Sequence, residues 1–262
     1  MGYEYITYLD DDDEWMPEKL EKELAKFKEC NENTALVFSD VLFSNDTECT
    51  VTRAKHTGRP EMHGNVYREL LKRDCVPLSG LIRTKYFSSV GGFDESMMTA
   101  EDYDAWLRLA EHYEFSHVNE PMYVMHFQYE REHVSGNNFR KVRNLEKIAG
   151  KHMHYLVTDK YVYWVHLRNI LPYYAKCMEY KNLFTVWFKT LTLQPARIFS
   201  NISLLLAILL AQPLSGIKSC FRRNFPDFFF ALKHIKYKLE RKEIISVHDT
   251  DKRTSTRPSA SV

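Results

Sequence analysis

Hydrophobic and polar positions change rhythm along the chain, and each change marks an element. Residues 3–9 are apolar and β-prone, which predicts a strand. Met16, Leu20, Leu24 and Phe27 then recur at helical spacing, with Glu and Lys filling the other face. With Pro17 at the first turn, they predict an amphipathic helix over 17–29. ALVFSDVLF (35–43) reads as a strand with a polar interruption at Ser39-Asp40, and 44–62 is polar and turn-rich. A short helix is expected over 65–73, a strand over 77–84, and a short helix over 85–93 that closes on a glycine turn. The clearest helix of the first half is 98–113, with Thr99 as N-cap and a stripe of Tyr103, Trp106, Ala110 and Tyr113. Two short strands, 114–118 and 122–127, follow. Strands alternating with helices indicate an α/β domain.

After about residue 138 strand signals fade and apolar residues recur in long helical stretches. This places one domain over 1–138, a helical region over 150–242, and a polar tail over 246–262 that is expected to be disordered. Ile202 to Ala211 are nearly all apolar, yet a membrane span needs about 20 such residues. Between Gly216 and Lys242 stand eight Lys or Arg against two acidic residues, interleaved with Phe228, Phe229 and Phe230. A basic amphipathic stretch of this kind lies in an anionic membrane surface or packs its aromatic face on a neighbouring domain. Peripheral membrane contact through 201–242 is the expectation.

Overall charge is nearly balanced, with 36 Lys and Arg against 35 Asp and Glu, so it points to no nucleic-acid partner. Five widely spaced cysteines without a CxxC pair argue against a zinc site and a disulfide framework. Nothing at the N-terminus resembles a signal peptide. A cytoplasmic location, at the inner face of the membrane, is the expected one.

Two acidic constellations carry the candidate chemistry. YLDDDDEW (8–15) places Asp10 to Asp13 at the end of the first strand. That is the usual ligand-binding edge of an α/β sheet, and oxygen ligands suit Mg²⁺ or Mn²⁺. A solvated acidic loop is the alternative for the run taken alone. In VGGFDESMMTAEDYDAW (90–106), Gly91 and Gly92 permit a tight turn and close approach of a ligand, and Glu101-Asp102 open a helix. A helix cap would use the same acidic pair.

In order, LDDDDEWMPEKLE, GGFDES and EDYDAWLRLA resemble the inverting glycosyltransferases of the GT-A fold, family 2. The likeness covers residues 3–138 and implies a nucleotide-diphospho-sugar transferase domain, Rossmann-like, followed by a helical C-terminal region. It implies Asp10 and Asp12 as the DxD pair, with Asp10 near the ribose and Asp12 holding a divalent metal, Mn or Mg, on the diphosphate. Gly91, Gly92 and Glu101 would line the donor site. Asp102 would be the base that deprotonates the acceptor hydroxyl. His126 matches a histidine often found after the ED helix, as a third metal ligand or phosphate contact; a histidine packed within the fold is the alternative. The donor would be a nucleotide-diphosphate sugar and the acceptor a glycan or a lipid-linked sugar.

The sequence departs from that family ahead of Asp10. The segments that hold the base and ribose, a V-x-x-Y-N pattern and a V-D-D-x-S stretch, have no counterpart in residues 1–9. The resemblance therefore implies a domain lacking its first strands, with transfer belonging to the intact enzyme and little turnover from this chain alone. A non-catalytic relic or binding module is the alternative, and a glycoside hydrolase is a weaker one.

Overall fold

A computed structural model describes residues 2–45, 50–54, 62–127 and 137–211. The first of its two compact units, Met1–Leu205, contains the entire described sheet. Strands β1 (Tyr5–Ile6), β2 (Glu14–Trp15), β3 (Thr34–Asn45), β4 (Thr50–Ala54), β5 (Leu81–Arg83) and β6 (Glu114–Phe127) form one mixed sheet. The order is β1-β5-β3-β6-β2, with β4 added to the far half of β3. Among the described residues, β3 and β6 run parallel and every other strand pair is antiparallel. This is the mixed α/β architecture of a GT-A-like domain with a helical C-terminal part.

The central strand β3 is buried on both faces, with Leu36, Val37 and Phe38 fully inside. Its polar interruption has partners in place. Ser39 donates to Glu23 at 3.0 Å, and Asp40 lies 2.9 Å from the His117 ring. Burial without such partners would cost each group on the order of 1–3 kcal/mol.

Several sequence expectations shift. The strand expected over 3–9 pairs only at Tyr5–Ile6, because its partner β5 is three residues long. The two strands expected at 114–118 and 122–127 are one. Ser39 pairs with Val118 and Asp40 with Pro121, so Asn119 and Glu120 bulge out of the ladder. A bulge is where a strand tolerates proline, since the missing N–H is not needed there. The Glu14–Trp15 strand had no pattern to announce it, being too short for periodicity.

Helix α1 (Lys19–Glu29) inverts the expected face. Leu20 and Leu24 are exposed, whereas Lys19, Glu23 and Phe27 are buried. Lys19 Nζ donates to Glu23 at 2.7 Å and to the Ser79 carbonyl at 2.5 Å, above the Trp15 ring. Burial lowers the Lys19 pKa and raises that of Glu23 to about 6, and their attraction opposes both shifts.

Helix α2 (Tyr67–Lys72) and the short α3 (Thr84–Ser89) lead to α4 (Glu101–Ala110). Seven of its ten residues are buried, including Asp104. Thr99 is not the cap: Ala100 occupies that position at φ 58°. A left-handed alanine costs roughly 1 kcal/mol, so its surroundings must impose it. They do so through α5 (Asn138–Lys151). Asn144 donates to the Thr99 carbonyl at 2.7 Å and to its hydroxyl at 3.1 Å. Lys151 pairs with Asp104 at 2.7 Å and with Asp94 at 2.9 Å, while Lys147 holds Asp94 at 2.8 Å. Arg108 completes the ring, 2.8 Å from Asp104. Helices α6 (Met153–Leu156), α7 (Lys160–Lys176), α8 (Tyr180–Leu193) and α9 (Ile198–Leu210) continue the helical part.

Lys151→Ala should destabilise the protein by about 2 kcal/mol. It leaves the buried Asp104 with Arg108 alone, but Lys151 is itself partly solvated. A urea unfolding midpoint reads this directly. A midpoint equal to that of the parent would show that the pair holds nothing.

Candidate functional site

The aspartate loop is fixed at both ends by the sheet. Tyr5–Ile6 anchors it on β5, and Glu14–Trp15 on β6, where Tyr123 and Val124 are the partners. Asp13 N–H closes a turn onto the Asp10 carbonyl at 3.2 Å. In the lead-in, Tyr8 packs against Phe87 and Phe93, at centroid separations of 6.1 and 4.9 Å. Both of those rings also sit against Trp106 of α4. One aromatic cluster thus ties the start of the aspartate loop to the ED helix.

Carboxylate oxygens of Asp10, Asp12 and Asp13 lie within 4.8 Å of one another. Burial raises the Asp10 pKa, and repulsion from Asp13, Asp12, Glu101 and Asp11 raises it further. Burial also raises that of Asp13, opposed by hydrogen bonds from the Tyr123 hydroxyl and from the His126 main-chain N–H at 2.9 Å. Three hard oxygen donors that repel one another fit Mg²⁺ or Mn²⁺ by number and chemistry. Asp11, the middle position of the run, is exposed and outside the trio.

The loop opens on a cavity of about 630 Å³, the size of a small-molecule site. Glu101 and Asp102 line it too, as do Asp74, Lys141 and His126. The two acidic constellations, some ninety residues apart in sequence, therefore face one space. Asp102 is half-buried in the wall of the cavity. Burial raises its pKa, hydrogen bonding from the Tyr103 N–H at 2.7 Å lowers it, and the Glu101 charge raises it again.

Gly91 and Gly92 do not line this cavity. Their φ angles of 86° and 67° let the chain turn back after α3, where their N–H groups bond to Ser88 and Phe87. The Gly92 carbonyl accepts from Arg108 at 2.6 Å, so the pair supports α4 from behind. The His126 ring lies 3.4 Å from Glu14, so His126 joins the site beside the carboxylate trio rather than within it.

Sequence reasoning passed over three residues. Asp13 was hidden in a run of four aspartates, and only the turn separates it from Asp11. Asp74 and Lys141 belong to no motif; the turn that follows α2 and the first turn of α5 bring them in from separate parts of the chain. Asp74 is exposed to the cavity and ringed by its walls. Its pKa is raised by burial first and then by Asp102.

The profile of the family described as Glycosyltransferase like family 2 matches residues 2–189, well into the helical part. An uncharacterised glycosyltransferase of Methanocaldococcus jannaschii is 30% identical over 122 residues. That stretch is 44% of this chain and 39% of the relative, so the chain spans about two fifths of its length. With most of its residues matched by the family profile, the chain belongs to glycosyltransferase-like family 2.

Proposed function

We propose that this site serves inverting transfer of a sugar from a nucleotide-diphosphate sugar to a hydroxyl of a glycan or lipid-linked acceptor. The observation that carries the proposal is the shared cavity, which both the aspartate trio and Asp102 line. Asp12, with Asp10 and Asp13, would hold a divalent ion on the donor diphosphate, and His126 would stand beside it. When bound, that ion offsets charge on the departing diphosphate.

Asp102 would take the acceptor proton as the acceptor oxygen bonds to the anomeric carbon. The bond from that carbon to the diphosphate breaks on the opposite face, and the nucleoside diphosphate leaves with the electron pair. Attack from behind inverts the anomeric centre. A raised pKa suits the role, because a base near the working pH transfers protons most effectively. Glu101 would border the donor, and Lys141 would balance the two carboxylates Asp74 and Asp102.

We place the protein at the cytoplasmic face of a membrane. Among the described residues, no single helix is long and apolar enough to cross a bilayer, although Tyr180–Leu193 and Pro195–Leu210 together reach that length and composition. Phe188, Ile198 and Phe199 stand exposed, Phe199 by 84%. An apolar surface of this kind fits the interfacial layer of a bilayer. The basic stretch within 212–242 lies outside the described residues.

Three outcomes test this reading. Mn²⁺ should bind the full chain in calorimetry, and Asp12→Asn should weaken it at least about tenfold, since even outer-shell changes cost that much. Absence of metal-dependent heat would refute the site. In the enzyme's turnover of a sugar nucleotide, Asp102→Asn should lower kcat by about 10²–10⁴ while Mn²⁺ affinity stays put. The base must be ionised, and its pKa is raised to about 6, so kcat/KM should fall as pH drops through that value. A profile flat down to pH 4 would exclude Asp102 as the base. Finally, Phe199→Asp should reduce partition onto phosphatidylglycerol-containing vesicles about tenfold, the equivalent of one lost buried aromatic ring. Unchanged sedimentation would rule out membrane contact through this helix.

A further inference from the structure

A second cavity, of about 510 Å³, adjoins the first. The two share Asp74, Ala100 and Lys141 as wall. Their chemistry differs. The first is dominated by carboxylates, while the second presents Arg73, Lys141, Arg168 and Lys176 against the single carboxylate of Asp74. His166 lies in the same wall, and burial lowers its pKa.

These four cations are held in no ion pair among the described residues, although Lys141 acts on Asp74 and Asp102 from a greater distance. None of them is within salt-bridge distance of an acidic group among the described residues. Lys141 and Lys176 flank one aromatic ring, each ammonium about as far from the Tyr173 centroid as the other, at 5.7 and 5.6 Å. Arg168 rests over Trp164 at 4.5 Å and is clamped through Nη1 alone, to Ser200 and Asn201. Its Nε and Nη2 make no hydrogen bond among the described residues. Surface lysines scatter and pair; here like charges from α5, α7 and the end of α2 converge on one hollow. Mutual repulsion makes that arrangement unfavourable unless an anion offsets it.

Position indicates whose anion it is. In the proposed reaction the donor diphosphate lies on the aspartate side, and the acceptor hydroxyl must reach Asp102. The remainder of the acceptor extends away from the donor, and the basic cavity is the adjoining space. We infer that this cavity is an acceptor subsite for an anionic group, a phosphate or a carboxylate carried close to the attacking hydroxyl, held by Arg73, Lys141, Arg168 and Lys176. This rests on the proposed transfer reaction for its meaning, though not for its binding. Lys141 borders both spaces, so an anion seated there would also adjust the field at Asp102. An uncharged glycan would leave the four cations unmatched.

The test is calorimetry on the full chain in chelator, without nucleotide or metal. Sodium pyrophosphate and glucuronate are the two probes. Under these conditions the aspartate trio repels anions, so heat reports the basic cavity and should appear even if the donor reading fails. Pyrophosphate binding in preference to glucuronate identifies a phosphate-linked acceptor, and the reverse identifies an acidic sugar. In either case Arg73→Gln with Lys176→Gln should weaken binding at least tenfold, while Lys160→Gln, on the exposed start of α7, should not. Lys176→Gln alone, at an exposed position, should weaken it severalfold and keeps the test readable if the double variant does not fold. Binding of neither probe, or binding that survives the Lys176 change or falls equally with Lys160→Gln, would overturn the inference.

Discussion

The buried charge of Asp104 is the constraint on which the site depends. This carboxylate lies on the hidden side of α4 with no solvent access. A lone charge there would cost several kcal/mol, so the fold supplies two cations, Arg108 from the same helix and Lys151 from α5. Each then makes a second commitment. Arg108 donates to the carbonyls of Val90 and Gly92, and Lys151 holds Asp94. The glycine turn, the start of α4 and the first helix of the C-terminal part are joined at one point. The left-handed Ala100 and the two residues after it, Glu101 and Asp102, are presented to the cavity from that platform.

This arrangement explains why the helices belong to the functional unit. A sheet and its aspartate loop could form a metal site alone. They could not fix Asp102, because α4 and the segment before it are held by Asn144, Lys147 and Lys151 of α5. The family profile running to residue 189 accords with that dependence. Charge is also sorted across the region: carboxylates gather around the aspartate loop, cations around α7, and Asp74, Ala100 and Lys141 stand where the two meet.

Much of this was legible in the sequence, for identifiable reasons. The strand and helix alternation, the β3 strand and α4 follow from apolar periodicity, which is strong in long elements. The motif residues Asp10, Asp12 and Asp102 stand out because their spacing and order resemble a known family. What failed to show was set by pairing at a distance. Leu20 and Leu24 carried the helical period of α1, yet Lys19 and Glu23 took the inner face because Ser39 and the Ser79 carbonyl offered them partners. Thr99 had the chemistry of a cap, but Asn144 claimed its hydroxyl. Gly91 and Gly92 were read as ligand-facing, and their positive φ serves a turn behind the helix instead. Asp74 has no local signal at all; only the fold brings it beside Asp102.

The central claim is that the aspartate loop is a metal site facing Asp102 across one cavity. Anomalous diffraction from crystals of the protein grown with Mn²⁺ tests it most directly. The account predicts a peak about 2.0–2.3 Å from carboxylate oxygens of Asp12 and at least one of Asp10 and Asp13, the range of hard-cation coordination. A peak seated at another acidic group, or none at Asp12 in well-ordered crystals at saturating Mn²⁺, would contradict it.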